Sequence, residues 1–161
     1  MEIRFTTVDS PLGELMLTGD GTALTGLYME VQKYRRSVAA DWRRDDAAFR
    51  DARAQLVAYF AGELREFTLP MAPSGTSFQQ TVWKALLDIP YGRTESYGAL
   101  ARRIGMPTAA RAVGMANGHN PIGLIVPCHR VVGSDGSLTG YGGGIERKQW
   151  LLAHEAGQRL L

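Results

Sequence analysis

The segment 70–75 restricts the fold of this 161-residue chain more than any other, because its two prolines and its glycine separate two hydrophobic patterns. Upstream, short alternating apolar runs are typical of strands. Downstream, apolar residues recur at intervals of three and four, which is typical of short helices. The sequence therefore predicts an α+β fold with an N-terminal domain at 1–73 and a C-terminal domain at 76–161.

The N-terminal domain is predicted to hold a small β-sheet and one helix. The strands are expected at 3–8, 14–18 and 23–29. Apolar residues then recur at helical spacing at Phe49, Leu56, Tyr59 and Phe60. Gly62 is the expected end of this helix. The arginine-rich stretch 33–44 is predicted to be a solvated loop, with a DNA contact as the alternative.

The C-terminal domain is predicted to begin with a helix capped by Ser77 and Gln80, which have the spacing of a capping box. The apolar face of this helix comprises Phe78, Val82, Leu86 and Ile89. The segment after it holds a turn at 90–92.

Two further helices follow with very little chain between them. Ser96 is the expected N-cap of the first helix and Gly105 its expected end. Thr108 is the expected N-cap of the second, which runs to about Gly118. Two short helices joined by so tight a turn are typical of a helix-turn-helix. A strand at 122–127, a glycine-rich hairpin at 133–144 in the position of a wing, and a helix at 146–156 complete the prediction.

The second helix of that pair is composed mostly of small residues. Only Arg111 and Asn117 carry side chains long enough to reach a base edge. One interpretation is tight packing between helices. The other is a smooth surface that lies on DNA and reads its shape and backbone rather than its sequence.

The charge distribution indicates which half of the chain binds a polyanion, and the apolar stretches and the single thiol indicate the compartment. Residues 1–75 carry nine basic and eleven acidic residues, whereas residues 76–161 carry nine and five, so the second half is the better candidate for a polyanion. No apolar stretch is long enough to cross a bilayer, and no signal peptide is visible at the N-terminus. A cytoplasmic location is expected, since a lone thiol stays reduced there.

Cys128 is the only cysteine, so the chain offers neither an internal disulfide nor a cysteine-based zinc site. Its thiol either packs or reacts. His129 and Arg130 follow it directly, and both are groups that can favour a thiolate. Successive side chains of a strand point to opposite faces, however, so His129 can serve the thiol only if the backbone leaves the β conformation or a water bridges them.

Three other residues have both a functional and a structural interpretation. Glu155 is able to orient His129, or it is a solvated helix end. Asn120 is able to hydrogen-bond nearby backbone, or it simply makes a turn. Tyr141, on the glycine-rich loop, is suited to lining a pocket or to packing.

Six sequence motifs occur in order and carry a resemblance to a known family. Together they resemble the O6-alkylguanine-DNA alkyltransferases, also called methylated-DNA–protein-cysteine methyltransferases. The resemblance is dense over 76–156 and looser upstream. The motifs are Gly92–Tyr97, Ala110–Gly114, Asn120-Pro121, Ile125–Val132, Gly140–Gly143 and Leu151–Glu155. The resemblance implies a ribonuclease-H-like N-terminal domain and a winged helix-turn-helix C-terminal domain.

The resemblance also implies an activity. Cys128 would accept the alkyl group of O6-alkylguanine in duplex DNA, in one turnover and without a cofactor, with O4-alkylthymine left open as a substrate. His129 would take the thiol proton through a water, and Glu155 would orient His129. Tyr97 would donate a proton to the departing guanine. Asn120 would tie the helix-turn-helix to the segment that carries the cysteine.

The implied partner is double-stranded DNA with the damaged nucleotide flipped out. Arg111 would fill the gap in the base stack from the minor groove. The other implied DNA-binding residues are Tyr97, Ala110, Gly114 and Asn117. The implied pocket residues are Tyr141, Gly142, Gly143 and Val131. Gly142 stands where some relatives have serine, which puts one hydrogen bond to the base in doubt.

The remaining expectations concern metals, assembly and alternative functions. The cysteine-based zinc site of some relatives is excluded, and no membrane contact is expected. A monomer in solution is expected, with side-by-side assembly on DNA left open. The two rival functions are a non-enzymatic protein that senses alkylated bases and a cysteine hydrolase that uses Cys128 and His129.

Overall fold

The N-terminal part of the computed structural model, which describes residues 2–30 and 38–157, is built on a four-stranded sheet. Its strands are β1 (Arg4–Ser10), β2 (Gly13–Gly19), β3 (Leu24–Met29) and β4 (Arg43–Arg44), in the order β3-β2-β1-β4. The three longer strands pair antiparallel and confirm the predicted ones. Glycine-containing turns link them.

The arginine-rich stretch is only partly the loop that was predicted. Arg43 and Arg44 form β4, which pairs parallel with Arg4 and Phe5 of β1. Both arginines are exposed, and the Arg44 guanidinium also donates to the Thr7 hydroxyl of β1 at 3.0 Å. Residues 33–37 of the predicted loop lie outside the described residues.

The predicted N-terminal helix is confirmed as α1 (Arg50–Phe60). Its buried face includes Leu56 and Tyr59, both fully buried. Gly62 follows with a φ of 78°, the left-handed conformation that ends many helices.

The helix α2 (Ser77–Leu86) begins with a capping box displaced by one residue from the prediction. The cap is Thr76, whose hydroxyl accepts from the Gln79 amide at 3.1 Å, while the Gln79 side chain accepts from the Thr76 amide at 2.9 Å. Ser77 and Gln80 fit the same spacing, but the Gln80 side chain donates to the Pro73 carbonyl instead. The predicted cap was therefore wrong by one position.

The next two helices, α3 (Tyr97–Arg103) and α4 (Ala110–Gly118), form the predicted helix-turn-helix. Ser96 caps α3 as predicted, its hydroxyl accepting from the Ala99 amide at 3.0 Å. Gly105 ends it with a φ of 79°. The predicted Thr108 cap is wrong, because α4 starts one residue later, at an Ala109 cap that has no side-chain hydrogen bond.

The segment 122–127 is not the strand that was predicted. Ile122 makes a single bridge with Leu27 of β3, and the chain then coils through tight turns, with Leu124 at a φ of 71°. Its residues are buried on all sides, and a continuous apolar run does not by itself distinguish a strand from another buried conformation. Cys128–Arg130 continues as a turn of 3₁₀-helix, and β6 (Val131–Val132) then pairs parallel with β5 (Glu95–Ser96).

The glycine-rich segment 133–144, described in full, contains turns and no strand. The amide of Gly133 donates to the Ser137 carbonyl at 2.9 Å, and the chain then runs as a loop. The predicted hairpin wing is therefore wrong in conformation, because nothing extends that first turn into a ladder. The last helix, α5 (Ile145–Glu155), is confirmed.

Both halves of the chain contribute residues to one hydrophobic core, and the chain after the N-terminal sheet pairs with the free edge of β3. The Leu24 amide donates to the Pro70 carbonyl at 2.9 Å, and the Leu27 amide to the Pro121 carbonyl at 2.8 Å. The segment that carries Cys128 is thus fixed directly to the N-terminal sheet.

Candidate active site

The local backbone decides how Cys128 and His129 relate. Cys128 lies in the 3₁₀ turn, with its amide donating to the Val126 carbonyl at 2.8 Å and the Arg130 amide to the Pro127 carbonyl at 3.0 Å. The alternation of a strand does not apply in this turn, so the condition set by the sequence for a cooperating pair is met. Cys128 is buried with 6% exposure and His129 with none.

Glu155, at the end of α5, accepts hydrogen bonds from the buried polar side chains next to the cysteine. Its Oε2 accepts from His129 Nε2 at 2.8 Å and its Oε1 from Arg130 Nε at 2.7 Å. Arg130 Nη2 adds a contact to Oε2 at 3.1 Å. Burial disfavours the carboxylate, but the bonds from His129 and Arg130 dominate and hold the pKa of Glu155 at about 2. Glu155 is therefore an anion inside the protein, not a solvated helix end.

A tyrosine from the N-terminal domain completes this network. Tyr59 on α1 donates its hydroxyl to Glu155 Oε2 at 2.6 Å, and both side chains are buried. Burial, followed by the charge of Glu155, raises the pKa of Tyr59, so the phenol keeps its proton. From the sequence, Tyr59 was predicted only as one of the apolar residues at helical spacing, and such spacing gives no signal for a contact with Glu155.

His129 is held as a neutral base. Because Nε2 faces a carboxylate, it is the protonated nitrogen, which leaves Nδ1 as the acceptor. Nδ1 is buried and has no hydrogen-bond partner among the described residues. Burial lowers the pKa of His129 below its ordinary value, although Glu155 acts in the opposite direction.

The surroundings of Cys128 correct one expectation. Arg130 does not favour its thiolate, because the guanidinium is bound to Glu155 and to the Ile89 carbonyl at 2.7 Å. Burial raises the pKa of the Cys128 thiol, while a hydrogen bond from Asn120 and the charge of Lys148 lower it. The resting site therefore contains a neutral thiol beside a neutral imidazole.

Lys148 is a second residue that sequence reasoning missed. It is fully buried on α5, and its Nζ donates to the Val131 carbonyl at 2.6 Å and to the Thr139 carbonyl at 2.8 Å. Burial lowers its pKa to about 8. A signal was present, since Lys148 shares one helical face with Leu151 and Glu155.

Two asparagines fix the segment that carries the cysteine. The Asn120 side chain donates to the Val126 carbonyl at 2.9 Å and accepts from the Ile122 amide at 3.1 Å. Asn117 donates to the Cys128 carbonyl at 3.3 Å. Asn117 is only 2% exposed, because it lies on the inner face of α4. Its predicted DNA contact is therefore wrong, and its place is behind the cysteine.

The exposed part of the helix-turn-helix holds the other predicted DNA-binding residues. Arg111 is exposed in the first turn of α4, and Ala110 beside it is half-buried. Tyr97 on α3 is half-buried and donates its hydroxyl to the Thr139 carbonyl at 3.0 Å. Gly114 of α4 faces the Tyr97 ring. These four residues lie close to one another.

A cavity of about 190 Å³ opens between α4 and the glycine-rich loop. Its lining residues are Gly114, Met115, Gly118, His119, Gly140, Tyr141 and Gly142. Burial and the nearby Cys128 raise the pKa of Tyr141 well above its ordinary value. Two predicted pocket residues lie outside this lining. Val131 is fully buried, and a Cβ at Gly143 would lie 2.5 Å from the Met29 sulfur and 2.8 Å from the Tyr141 ring, so a side chain there would displace these neighbours.

Residues 2–30 and 38–157 contain no group of three or more His, Cys, Asp and Glu side chains that could hold a metal ion. Over the same ranges, no helix has the length and apolarity needed to cross a membrane.

A helix-turn-helix whose second helix bonds the main chain of a buried cysteine, with histidine and glutamate behind that cysteine, is the arrangement of a DNA-binding fold that holds a thiol in a polar site. Comparison with known proteins gives the family. The model described as "6-O-methylguanine DNA methyltransferase, ribonuclease-like domain" matches residues 3–73, and that described as "6-O-methylguanine DNA methyltransferase, DNA binding domain" matches residues 77–157. The chain belongs to the 6-O-methylguanine DNA methyltransferase family.

Individual relatives agree along almost the whole chain. The methylated-DNA–protein-cysteine methyltransferase of Mycobacterium bovis is 60% identical over 153 residues, covering 95% of this chain and 92% of the relative. That of Methanosarcina barkeri is 50% identical over 148 residues, covering 92% and 94%. A crystal structure of Mycobacterium tuberculosis OGT in complex with DNA matches with a TM-score of 0.89 at 57% identity, covering 98% of this chain and 94% of that one.

Proposed function

We propose that this chain repairs DNA by transferring the alkyl group of an O6-alkylguanine irreversibly onto Cys128. The activity is that of a methylated-DNA–protein-cysteine methyltransferase, and its partner is alkylated duplex DNA. The observation that carries the proposal is the buried Cys128 beside the His129–Glu155 pair, on a segment bonded to the second helix of a helix-turn-helix. A non-enzymatic sensor of alkylated bases has no need of these groups.

The reaction is a displacement at saturated carbon. The Cys128 thiol proton passes through a water to Nδ1 of His129, whose Nε2 proton stays bonded to Glu155. The sulfur then forms a bond to the alkyl carbon as the bond from that carbon to guanine O6 breaks. Tyr97 donates a proton to the departing guanine, which requires its hydroxyl to leave the Thr139 carbonyl. The Tyr97 phenolate then regains a proton from solvent as His129 releases the thiol proton to solvent. The guanine returns to its unmodified form.

The thiolate forms only when a substrate is present, because the resting thiol is neutral. Burial raises the pKa of Cys128, so an unliganded molecule is protected from oxidation and from stray electrophiles. The charge of Lys148 and the hydrogen bond from Asn120 favour the thiolate during the reaction. The product is a thioether, which the site has no evident means of cleaving, so each molecule acts once.

The target base reaches Cys128 only after it leaves the duplex. Flipping it out costs a few kcal/mol of lost stacking and pairing. The small residues of α4 allow close approach to DNA of any sequence, and Arg111 occupies the gap in the stack. The flipped base enters the cavity lined by Tyr141 and Gly142. Gly143 lies against the Tyr141 ring and so supports this lining from outside the cavity.

The remaining assignments complete the proposal. The domains are 1–73 and 76–161, with the catalytic and DNA-binding groups in the second. The protein works as a monomer in the cytoplasm, where the free thiol stays reduced. Whether O4-alkylthymine is also a substrate, and whether several molecules assemble side by side on DNA, is left open.

The test is to incubate the protein with a duplex that contains one O6-methylguanine and to map adducts by peptide mass spectrometry. One methyl group on the Cys128 peptide, together with restored guanine, is the expected result. Tight binding without an adduct would replace the transferase with a sensor. A transient acyl adduct on Cys128 with ester substrates, and no methyl adduct, would favour the rival hydrolase.

Removing the proposed finger should affect duplex DNA selectively. Arg111→Ala is expected to slow repair of duplex DNA by about 10-fold or more, because the finger opposes restacking of the flipped base. The reaction with free O6-benzylguanine should stay close to that of the unmodified protein, since no stack has to be opened. Single-turnover rates on the two substrates measure this.

Arg50→Ala, an exposed arginine at the start of α1, is the matched control and should leave both rates unchanged. If Arg111→Ala lowered the rates on duplex DNA and on the free base equally, Arg111 would not act by filling the gap in the base stack.

Lys148 should support the thiolate by its charge. Lys148→Met is expected to lower the transfer rate at pH 7 by about 10-fold, because a buried cation close to the sulfur is lost. Lys148 is charged below its pKa of about 8 and neutral above it, so its contribution disappears as the pH rises through 8. The rate of the unmodified protein should therefore include a component lost above pH 8, and Lys148→Met should lack it.

Rates on free O6-benzylguanine from pH 6 to 9 measure this effect without DNA binding. Lys84→Met, at an exposed lysine of α2, should behave like the unmodified protein. If the transfer rate of Lys148→Met also decreased above pH 8, that decrease would belong to a titratable group other than Lys148.

A further inference from the structure

The N-terminal domain reaches the reaction centre through one side chain. Tyr59, the next-to-last residue of α1, lies 96 positions before Glu155, yet its hydroxyl contacts Glu155 Oε2 at 2.6 Å. The same oxygen receives His129 Nε2 at 2.8 Å. One carboxylate oxygen therefore joins the N-terminal domain to the proposed general base.

The position of Tyr59 is fixed at both ends. Its backbone carbonyl accepts from His154 Nε2 at 2.8 Å, so the consecutive residues His154 and Glu155 of α5 hold its main chain and its hydroxyl. Its ring packs against Phe67 at 5.4 Å and edge-on against His154 at 5.2 Å between ring centroids. The hydroxyl can therefore act as a rigid donor.

We propose that Tyr59 is a positioning residue of the alkyl-transfer reaction, by which the N-terminal domain orients Glu155 and adjusts how strongly Glu155 draws on the His129 proton. This inference rests on the proposed function. The phenol keeps its proton, so the bond always runs from Tyr59 to the carboxylate. Each donor to Oε2 withdraws electron density from that oxygen and weakens its pull on His129 Nε2–H.

Removing the hydroxyl should change both geometry and basicity. With one donor fewer, Oε2 binds the His129 Nε2 proton more strongly, and the imidazole becomes easier to protonate at Nδ1. The carboxylate also loses one of the contacts that fix its plane. The other charged or titratable groups that face this pair are Arg130 on the same turn, Lys148 on α5, Tyr91 after α2, and Cys128 and Tyr141 at the sulfur. Tyr59→Phe leaves each of these groups in the protein and removes only the one hydroxyl.

The experiment compares Tyr59→Phe with Tyr91→Phe in the full chain. Tyr91 belongs to the same aromatic cluster, 6.2 Å from Tyr59, and its substitution removes a hydroxyl that is not bonded to Glu155. Tyr59→Phe is expected to slow transfer to the protein about 10-fold at pH 7, because small misplacements of catalytic groups have large effects. As the pH is lowered, the rate of Tyr59→Phe should begin to decrease at a higher pH than that of the unmodified protein, since protonated His129 cannot accept the thiol proton. Tyr91→Phe should match the unmodified protein in both respects.

NMR titration of the His129 ring in the unalkylated proteins gives a readout that does not need activity. The midpoint in Tyr59→Phe should lie about half a pH unit above that of the other two proteins. A slower rate with an unchanged His129 midpoint would reduce Tyr59 to a packing residue and overturn the inference. If the unmodified protein accepts no alkyl group, the proposed function fails, while the titration still decides whether Tyr59 acts on His129.

Discussion

Cys128→Ser is expected to abolish alkyl transfer while leaving the affinity for duplex DNA unchanged. A serine hydroxyl at this position is a far weaker nucleophile toward saturated carbon than a thiolate, and the neutral His129 cannot ionise it, so the rate should fall by at least about 1000-fold. Cys128 lies inside the site, bonded to Asn117 through its carbonyl, and it does not belong to the exposed face of α4. Binding and chemistry should therefore separate in this variant.

The measurement is a single-turnover assay with O6-methylguanine duplex, read by adduct mapping and by return of unmodified guanine, beside a titration of the same duplex. Serine is close in size to cysteine, so the core around the turn should keep its packing. Methylation of the serine variant elsewhere in the chain, with guanine restored, would show that another nucleophile is responsible. If Cys128→Ser lost both DNA binding and alkyl transfer, the cysteine side chain would be needed for the fold.

Glu155→Gln is expected to lower the free energy of unfolding by about 3–5 kcal/mol at pH 7, since it leaves the guanidinium of Arg130 buried without its anion. Arg130 is only 7% exposed, so water is a poor substitute for the lost anion. Urea denaturation at constant temperature measures the change. Glu95→Gln is the control, because Glu95 bonds Arg103 at 2.8 Å near the surface, where such pairs contribute about 1 kcal/mol or less.

The same residue should dominate the acid stability of the protein. The pKa of Glu155 is about 2 in the folded protein, against 4.5 ordinarily, so the fold favours the ionised form. This contribution is fully present above pH 4.5 and is lost as the pH falls towards 2, for a total of about 3 kcal/mol. The loss should be absent in Glu155→Gln. An acid transition of the same size in both proteins would assign it to other carboxylates.

Local sequence signals predicted most of the secondary structure because they depend on contacts between near neighbours. The antiparallel strands, α1 with Gly62, and the cap of α3 at Ser96 follow from patterns within a few residues. The errors arose where two local solutions were equivalent, as for Thr76 and Ser77, or where burial on all sides removed the periodic signal, as at 122–127. The wing failed for a related reason, since glycine-rich turns are compatible with a loop as well as a hairpin.

The candidate site shows the same contrast between what local sequence signals predict and what depends on the fold. The pairing of Cys128 with His129 was ambiguous from the sequence because an extended backbone would place the two side chains on opposite faces, and the 3₁₀ turn removes that objection. Asn117 was misassigned because composition does not say which face of α4 is buried. Tyr59 was missed because its partner lies 96 positions away along the chain. For Lys148 the helical face gave a signal of burial, but its partners, the Val131 and Thr139 carbonyls, do not follow from spacing.

The sequence by itself determined the two-part α+β organisation, the helix-turn-helix, the unique thiol and, through the order of its motifs, the family. Those properties reside in residue identity and short-range spacing. Only the tertiary structure decided that Glu155 is a buried anion shared by His129, Arg130 and Tyr59, and that burial raises the pKa of the Cys128 thiol above its ordinary value. Burial and the meeting of distant side chains set those properties, and both exist only once the two halves of the chain have packed around one core.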